Sequence, residues 1–194
     1  MKKNITIFTV ILFLVIMPSL FASKWGVSFN SCFFFPKSAF LQKEYGSQWM
    51  NYQLQVSYLT CPHLSVWAAL DYSAKDKLQI VPLSLGASYY WKLSRCLFWT
   101  VGGGGSYTYA KVSHLEANKR SFNKKGLGAL FKTSLEYRYS SKLFFSFFVD
   151  YFYQHFHFYS HRSSCVLLAE EIEKKKNLLN VGGTKIGLGI GTFF

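Results

Sequence analysis

The residue types that most often carry out catalysis are concentrated between positions 155 and 173: His155, His157, His161, Ser163, Glu170, Glu171 and Glu173. A serine becomes a nucleophile when a neighbouring imidazole takes its proton and a carboxylate orients that imidazole. His161 and Ser163, with Glu173 as the carboxylate, could therefore form a hydrolase triad. A His-x-Ser pair is a short pattern that occurs often by chance, so we favour an ordinary solvated loop with no catalytic residue.

The three histidines could instead bind a metal ion, because imidazole is a common ligand. No cysteine or carboxylate stands at a defined spacing from them to complete such a site. His155 and His157 would share one face of an extended segment, which favours interfacial histidines that continue a strand. We therefore predict no metal site and no cofactor.

The N-terminal segment predicts export of the chain. Lys2 and Lys3 precede an apolar run over residues 5–21, and small residues follow at Ala22 and Ser23. This order is typical of a secretory signal peptide, here residues 1–22 with cleavage after Ala22. A retained membrane helix is the alternative, but it needs about 20 apolar residues, and Pro18 interrupts this shorter run. Residues 23–194 then form one domain, and export makes nucleic acid an implausible partner.

The last strand indicates how that domain meets its surroundings. Over residues 184–194 apolar side chains alternate with glycine or polar residues, and the chain ends on Phe194. Such alternation is typical of a transmembrane barrel strand, which turns apolar side chains to lipid and small or polar ones to the lumen. A soluble sandwich strand would show the same pattern, so the other segments must decide.

The same alternation recurs along the whole chain and predicts eight strands, at about residues 25–35, 49–60, 64–72, 83–91, 97–107, 127–138, 143–154 and 184–194. The second strand places Asn51, Gln53 and Gln55 on one face, which a soluble core would not bury without partners. Aromatic residues make up 20% of the chain. The fold class is therefore an all-β, eight-stranded antiparallel up-and-down transmembrane barrel. A lipocalin barrel would reverse the two faces.

The connections after strands two, four and six are tight turns. The connection after strand three is also short, and those after strands one, five and seven are long. With an even strand number and both termini on the inner side, the tight turns are periplasmic. The glycine run at residues 102–105 resembles a phosphate loop in composition, but no Lys-Ser/Thr and no helix pattern follow it. We assign these glycines to close strand contact and curvature.

Six charged residues fall on the inward face, three acidic and three basic: Asp71, Lys132, Glu136, Arg138, Asp150 and Lys185. Unpaired charge in a confined lumen is costly, so we expect them to form a salt-bridge and hydrogen-bond network. Eight strands enclose room for side chains rather than for a channel. The sequence therefore predicts a plugged lumen.

On these features residues 23–194 resemble the small outer-membrane barrels of the OmpA transmembrane-domain, OmpX and OmpW type. The resemblance implies a Gram-negative outer-membrane location and a C-terminal assembly signal at Phe194, recognised by the outer-membrane assembly machinery. It carries no catalytic residue and leaves the function open. His161-Arg162-Ser163 resembles the His-x-Ser of lipid A deacylases, although Ser164 stands where those enzymes usually have Asn. A membrane-embedded lipid A deacylase is therefore the alternative to a non-enzymatic structural or adhesin-like protein.

A basic loop is predicted over residues 111–125. It carries Lys111, Lys119, Arg120, Lys124 and Lys125 against Glu116 alone, in a chain of formal net charge +13. On the outer surface such a loop would meet lipopolysaccharide phosphates or acidic host glycans. A solubilising loop without a specific partner is the alternative.

The chain has four cysteines, and an exported chain enters an oxidising compartment. Cys32 would lie near the outer end of strand one, and Cys165 in the loop before the strand that pairs with it. Cys61 and Cys96 would both lie at periplasmic turns. We predict disulfides between Cys32 and Cys165 and between Cys61 and Cys96, although four cysteines allow three connectivities.

Overall fold

The computed structural model describes residues 25–76, 78–112, 122–157 and 178–194. Its strands are β1 (Trp25–Pro36), β2 (Trp49–Cys61), β3 (Leu64–Lys75), β4 (Leu78–Lys92), β5 (Leu97–Val112), β6 (Phe122–Arg138), β7 (Leu143–His157), β8 (Leu178–Asn180) and β9 (Gly183–Phe193). Each strand from β1 to β7 pairs antiparallel with the next, and β9 pairs with both β7 and β1. The sheet therefore closes on itself.

The segments β8 and β9 together form the eighth strand of this barrel. β8 pairs with the last residues of β7, from His155 to His157, and β9 pairs with the rest of β7 from Phe152 back to Leu143. The predicted eight-stranded antiparallel up-and-down barrel is confirmed. The signal peptide predicted for residues 1–22 lies outside the described residues and stays a prediction.

The two faces of the barrel follow the alternation of the sequence. In β2, for example, Asn51 and Gln53 are buried while Met50 and Tyr52 are exposed. The same period of two holds in the other long strands, because successive side chains of a strand point to opposite faces. The outward face carries large exposed apolar side chains, among them Phe29, Leu70, Leu83, Leu85, Phe131, Phe147, Leu188 and Ile190.

The first long connection, between β1 and β2, contains a helix that the sequence analysis did not predict. Helix α1 (Ala39–Tyr45) begins at Ser38, whose side-chain oxygen accepts a hydrogen bond from the Leu41 backbone N–H. It ends at Gly46, where φ is 91° and glycine avoids the strain of a side chain. Leu41 and Tyr45 lie four residues apart on the buried side of the helix.

Several strand boundaries also differ from the prediction. β5 continues to Val112, and β6 begins already at Phe122. Lys111, Lys124 and Lys125 therefore lie on paired strands and not in a loop. β7 continues through His155 and His157. The strands are longer because their backbone groups gain ladder hydrogen bonds as far as a neighbouring strand extends.

We call the two ends of the barrel the short-turn end and the long-loop end. The short-turn end carries Phe194 and the turns at residues 62–63, 93–96 and 139–142. The long-loop end carries α1, the tight β3–β4 turn at Asp76, and the outer ends of β5, β6 and β7.

Candidate functional site

The barrel interior is the part of the described chain where polar and charged side chains converge. Its wall consists mainly of small hydroxyl and amide residues, and the charged ones are almost completely buried: Asp71, Glu136, Asp150 and Lys185. The six charges predicted for the lumen form three close pairs in the structure, in two layers.

The first pair joins β9 to β3. The Lys185 Nζ lies 2.6 Å from Asp71 Oδ1, and the two side chains are 2% and 0% exposed. Gln53 Nε2 donates to the same Asp71 oxygen over 3.1 Å, and Asn30 Nδ2 donates to Gln53 Oε1 over 2.7 Å. Since β2 and β1 stand between β3 and β9, the ion pair bridges strands that are not neighbours.

The second pair joins neighbouring strands, and hydrogen bonds from its lysine cross the lumen. The Lys132 Nζ on β6 lies 3.8 Å from Asp150 Oδ2 on the neighbouring β7. The same ammonium donates to Gln53 Oε1 over 3.3 Å and also to Gln55 Oε1, both on β2. Three strands separate β6 from β2 in either direction around the ring, so these hydrogen bonds join opposite walls.

Aromatic packing holds the Lys132 side chain in this position. Its Nζ lies 4.8 Å from the centroid of the Trp67 ring. Trp67 donates from Nε1 to Ser88 Oγ over 2.9 Å and lies against Gly86, where a Cβ would collide with the indole. The glycine therefore permits the close approach that places Trp67 under the ammonium.

Strand register explains part of this central layer. Asp150 stands opposite Lys132 in the β6–β7 ladder and opposite Lys185 in the β7–β9 ladder. Directly opposed residues have Cβ atoms about 5 Å apart, so one carboxylate faces two cations. Cys32 and Asn51 are likewise opposed, and the Cys32 thiol donates to Asn51 Oδ1 over 3.3 Å.

The third pair forms a floor near the short-turn end. Arg138 Nη2 lies 3.6 Å from Glu136 Oε2. The guanidinium carbon is 3.8 Å from the centroid of the Phe98 ring and 4.8 Å from that of Phe193. Phe193 in turn packs on Phe144 with ring centroids 4.8 Å apart.

A small polar cavity of about 40 Å³ lies between the floor and the Lys132 layer. Its lining includes Ser57, Ser88, Thr100 and Glu136. At roughly 10–15 Å³ for each water molecule, it has room for about three waters.

The long-loop end of the lumen is apolar, which the sequence analysis did not predict. Leu41 and Tyr45 of α1 pack on buried inward-facing side chains of the barrel strands and of the β8–β9 junction: Phe34, Trp49, Leu78, Ile80, Ala110, Phe156 and Val181. We call this set the apolar mouth cluster. Burial raises the pKa of the Tyr45 hydroxyl, with Glu44 and Asp76 adding to the rise, so the hydroxyl stays neutral at physiological pH. The apolar mouth cluster had a signal in the sequence, which was a change from polar to apolar residues at inward positions of several strands, such as Leu78 and Ile80.

The candidate triad His161, Ser163 and Glu173 lies outside the described residues, as do Glu170 and Glu171, and stays a prediction. Among the residues that the structure describes, no group of three or more His, Cys, Asp or Glu side chains could hold a metal ion. Of the predicted basic-loop residues, Lys119 and Arg120 are also outside the described ranges.

One predicted disulfide is wrong. Cys61 ends β2 and Cys96 precedes β5, and both are exposed free thiols. Three strand spacings of about 4.8 Å separate them, about 14 Å in total, whereas a disulfide needs Cα atoms within about 7 Å. Cys32 is a buried thiol facing the lumen; its predicted partner Cys165 lies outside the described residues, so that pairing stays a prediction.

The C-terminal strand ends with two aromatic residues on opposite faces. Phe193 is buried in the floor, and Phe194 follows it with its backbone N–H donating to the Trp25 carbonyl over 2.8 Å. The role of Phe194 as an assembly signal stays a prediction.

Within the described ranges, no helix has the length and apolar character needed to cross a membrane.

No family model matches the sequence, and no curated protein matches it. Solved structures do match. Neisserial surface protein A (NspA) is 11% identical, with a TM-score of 0.65 over 88% of this chain and 97% of its own. The N-terminal β-barrel domain of Pseudomonas aeruginosa OprF is 14% identical, with a TM-score of 0.60 over 89% and 98%.

A third match is Ail, the attachment invasion locus protein of Yersinia pestis, in complex with the heparin analogue sucrose octasulfate. It is 12% identical, with a TM-score of 0.50 over 90% of this chain and 100% of its own. At these identities the likeness is one of fold. The chain therefore has the fold of the small eight-stranded outer-membrane β-barrels.

Proposed function

We propose that this chain is a non-enzymatic protein of a bacterial outer membrane, with a plugged lumen and a basic surface at its long-loop end. A membrane location is supported by the outward face. Exposed aromatic side chains form one band near the short turns, including Trp25, Tyr89, Trp91, Trp99 and Tyr137, and another toward the long-loop end, including Tyr52, Tyr72, Tyr107, Tyr151 and Tyr153.

The spacing of these bands suits a bilayer. Trp99 and Tyr107 are eight residues apart on β5, about 26 Å along the strand at 3.3 Å per residue. A tilt of about 40° reduces this to about 20 Å along the membrane normal, close to the apolar band of about 25 Å in such barrels. Apolar residues fill the space between, as lipid contact requires.

The observation that carries the plugged lumen is the contact of Lys132 with Gln53 and Gln55 on the opposite wall. A side chain that spans the lumen and is held at both ends leaves no continuous water path at that level. The Lys185–Asp71 pair fills the adjacent space. The apolar mouth cluster adds a second layer above, through which hydrated ions would have to pass without polar partners.

Conductance across a planar bilayer tests this proposal. The refolded protein should show no steady current above the lipid baseline, and it should stay silent when α1 is replaced by a Gly-Ser linker, because the Lys132 layer lies below the helix. Steady current from the unmodified protein would overturn the plugged lumen. Current only after α1 is replaced would assign the seal to the mouth cluster and overturn the role given to Lys132.

The basic surface comprises three lysines just above the tyrosine band. Lys37 donates from Nζ to the Tyr151 hydroxyl over 3.4 Å, and Lys125 stands opposite Tyr109 on the outward face. Lys111 shares the outward face with Tyr109 on β5. Cations directly above an interfacial aromatic band lie at the depth of lipid phosphates, so we assign lipopolysaccharide phosphates as their partners.

Binding of lipopolysaccharide before and after enzymatic removal of its phosphates tests this surface. The triple variant K37Q/K111Q/K125Q should lose preference for the phosphorylated form, whereas K92Q/R95Q/K142Q, with the same charge removed at the short-turn end, should keep it. Heparin, a sulfated host-type glycan, serves as a second probe, since the Ail structure holds a heparin analogue. Preference for heparin over phosphorylated lipopolysaccharide would replace the proposed partner by an acidic glycan.

A further inference from the structure

A second charged surface lies at the opposite end of the barrel, on two neighbouring turns. Lys92 ends β4, Arg95 belongs to the β4–β5 turn, and Lys142 belongs to the β6–β7 turn; all three are exposed. The two turns are neighbours, because the backbone N–H of Arg138, the last residue of β6, donates to the Cys96 carbonyl of the β4–β5 turn over 2.7 Å. We call Lys92, Arg95 and Lys142 the short-turn basic patch.

Both turns are built in the same way, with a serine that fixes the backbone. Ser94 Oγ accepts from the Leu97 N–H over 3.2 Å, and Ser140 Oγ accepts from the Leu143 N–H over 3.0 Å. The Ser94 backbone N–H also donates to the Leu97 carbonyl, and the Ser140 backbone N–H donates to the Leu143 carbonyl. The cations are therefore carried on well-defined backbone and not on long loops.

Negative charge is scarce beside this patch. Of the Asp and Glu residues that the structure describes, only Glu136 lies near this end, and it is buried with its carboxylate directed to Arg138. The cations of the patch are thus exposed, with no exposed acidic side chain beside them among the described residues.

Aromatic residues place the patch at the depth of lipid headgroups. Trp91 precedes Lys92 and packs on Trp99 with ring centroids 5.2 Å apart. Leu93 and Tyr139, in the two turns, are 55% and 72% exposed. Tryptophan and tyrosine collect at the boundary between hydrocarbon and headgroups, and a cation one or two residues beyond them reaches the phosphate layer.

From this arrangement we infer that the short-turn basic patch binds the headgroup phosphate of an anionic glycerophospholipid, in the leaflet that meets the short turns. The patch supplies charge complementarity and the neighbouring Trp91, Leu93 and Tyr139 supply contact for the upper acyl chain. This inference rests on the proposed membrane-spanning role, and it is distinct from the lipopolysaccharide contacts at the long-loop end.

The test uses the full barrel in nanodiscs of phosphatidylethanolamine with a small fraction of phosphatidylglycerol, and native mass spectrometry counts the lipids that remain bound. The unmodified protein should retain phosphatidylglycerol in excess of its share. Each of Lys92→Gln, Arg95→Gln and Lys142→Gln should weaken this preference about fivefold, the factor expected for one cation near an anionic surface. The triple variant should lose the excess held at the short-turn end and keep only what the long-loop lysines retain.

The matched control for the single variants is Lys43→Gln, which removes one exposed lysine from α1, away from both basic surfaces, and should keep the preference. Circular dichroism and heat-dependent gel migration establish that each variant is folded. If the triple variant does not fold, the single variants decide. Equal loss in the control, or an unchanged preference in folded patch variants, would overturn the inference.

A further arm adds inorganic phosphate at millimolar concentration. Undiminished retention of phosphatidylglycerol is expected, whereas full displacement by phosphate would show a free-anion site and not a lipid site. A chain that fails to enter nanodiscs at all would count against the membrane-spanning role itself, which separates that failure from the failure of the lipid preference.

Discussion

Removal of the Lys185 ammonium should destabilise the barrel more than any single loss of surface charge. Lys185 Nζ lies 2.6 Å from Asp71 Oδ1, and both side chains are buried. At an effective dielectric of about 20, two unit charges at this distance attract by about 6 kcal/mol. Desolvation offsets part of this attraction, but Lys185→Met leaves the Asp71 carboxylate buried without its cation and with the Gln53 amide as donor, so we expect a loss of about 3–5 kcal/mol.

The assay is urea unfolding of the protein in lipid vesicles, followed by tryptophan fluorescence and fitted to two states. Lys142→Met, which removes an exposed lysine, should change the free energy of unfolding by less than about 0.5 kcal/mol. The double variant Lys185→Met/Asp71→Leu should recover most of the loss, because no buried charge of this pair remains. Additive losses in the double variant, or a cost below about 1 kcal/mol for Lys185→Met, would refute the paired-charge argument.

Three further substitutions examine other parts of the interior. Gly86→Ala should cost about 1–3 kcal/mol or prevent folding, because its Cβ would lie 2.9 Å from the Gly104 Cα and against the Trp67 ring. Gly105→Ala should be neutral in the same unfolding assay, because no atom lies within 4 Å of its Cβ. Leu41→Ala should destabilise the packing of α1 on the barrel by about 2–5 kcal/mol. The measurement is faster proteolysis within α1, with no change in the unfolding transition of the barrel. Loss of the barrel transition instead would contradict a local role for α1. Arg138→Gln should cost about 1–3 kcal/mol, because it removes the cation beside buried Glu136, and Arg138→Lys should recover part of it; equal costs would contradict the charge argument.

The strand pattern was predictable because it is a local property of the chain. In β2 the alternation of Asn51 and Gln53 with Met50 and Tyr52 assigns the two faces without knowledge of any other strand, and the structure buries and exposes them as predicted. The same reasoning placed Asp71 and Lys185 on the inward face. Strand number and face follow from period-two patterning whenever one side meets lipid and the other meets a polar lumen.

Features that depend on packing between distant segments were not predictable in this way. Helix α1 is seven residues long, too short for a periodic signal, and it is stabilised by contact of Leu41 and Tyr45 with the mouth of the barrel. The outer ends of β5 and β6 were taken for part of a loop, and the first residues of β4 were not assigned to a strand. In β4, for example, the inward Leu78 and Ile80 are apolar where the pattern required polar residues.

The sequence by itself determined the strand number, the two faces and the identity of the charged lumen residues. Only the closed barrel decided which of them meet. The contact of Lys132 with Gln55 exists because β6 and β2 stand on opposite walls, and the pairing of Lys185 with Asp71 exists because closure brings β9 within reach of β3. Alternation is encoded residue by residue along one strand, whereas contacts across the lumen depend on the register and number of all the strands together.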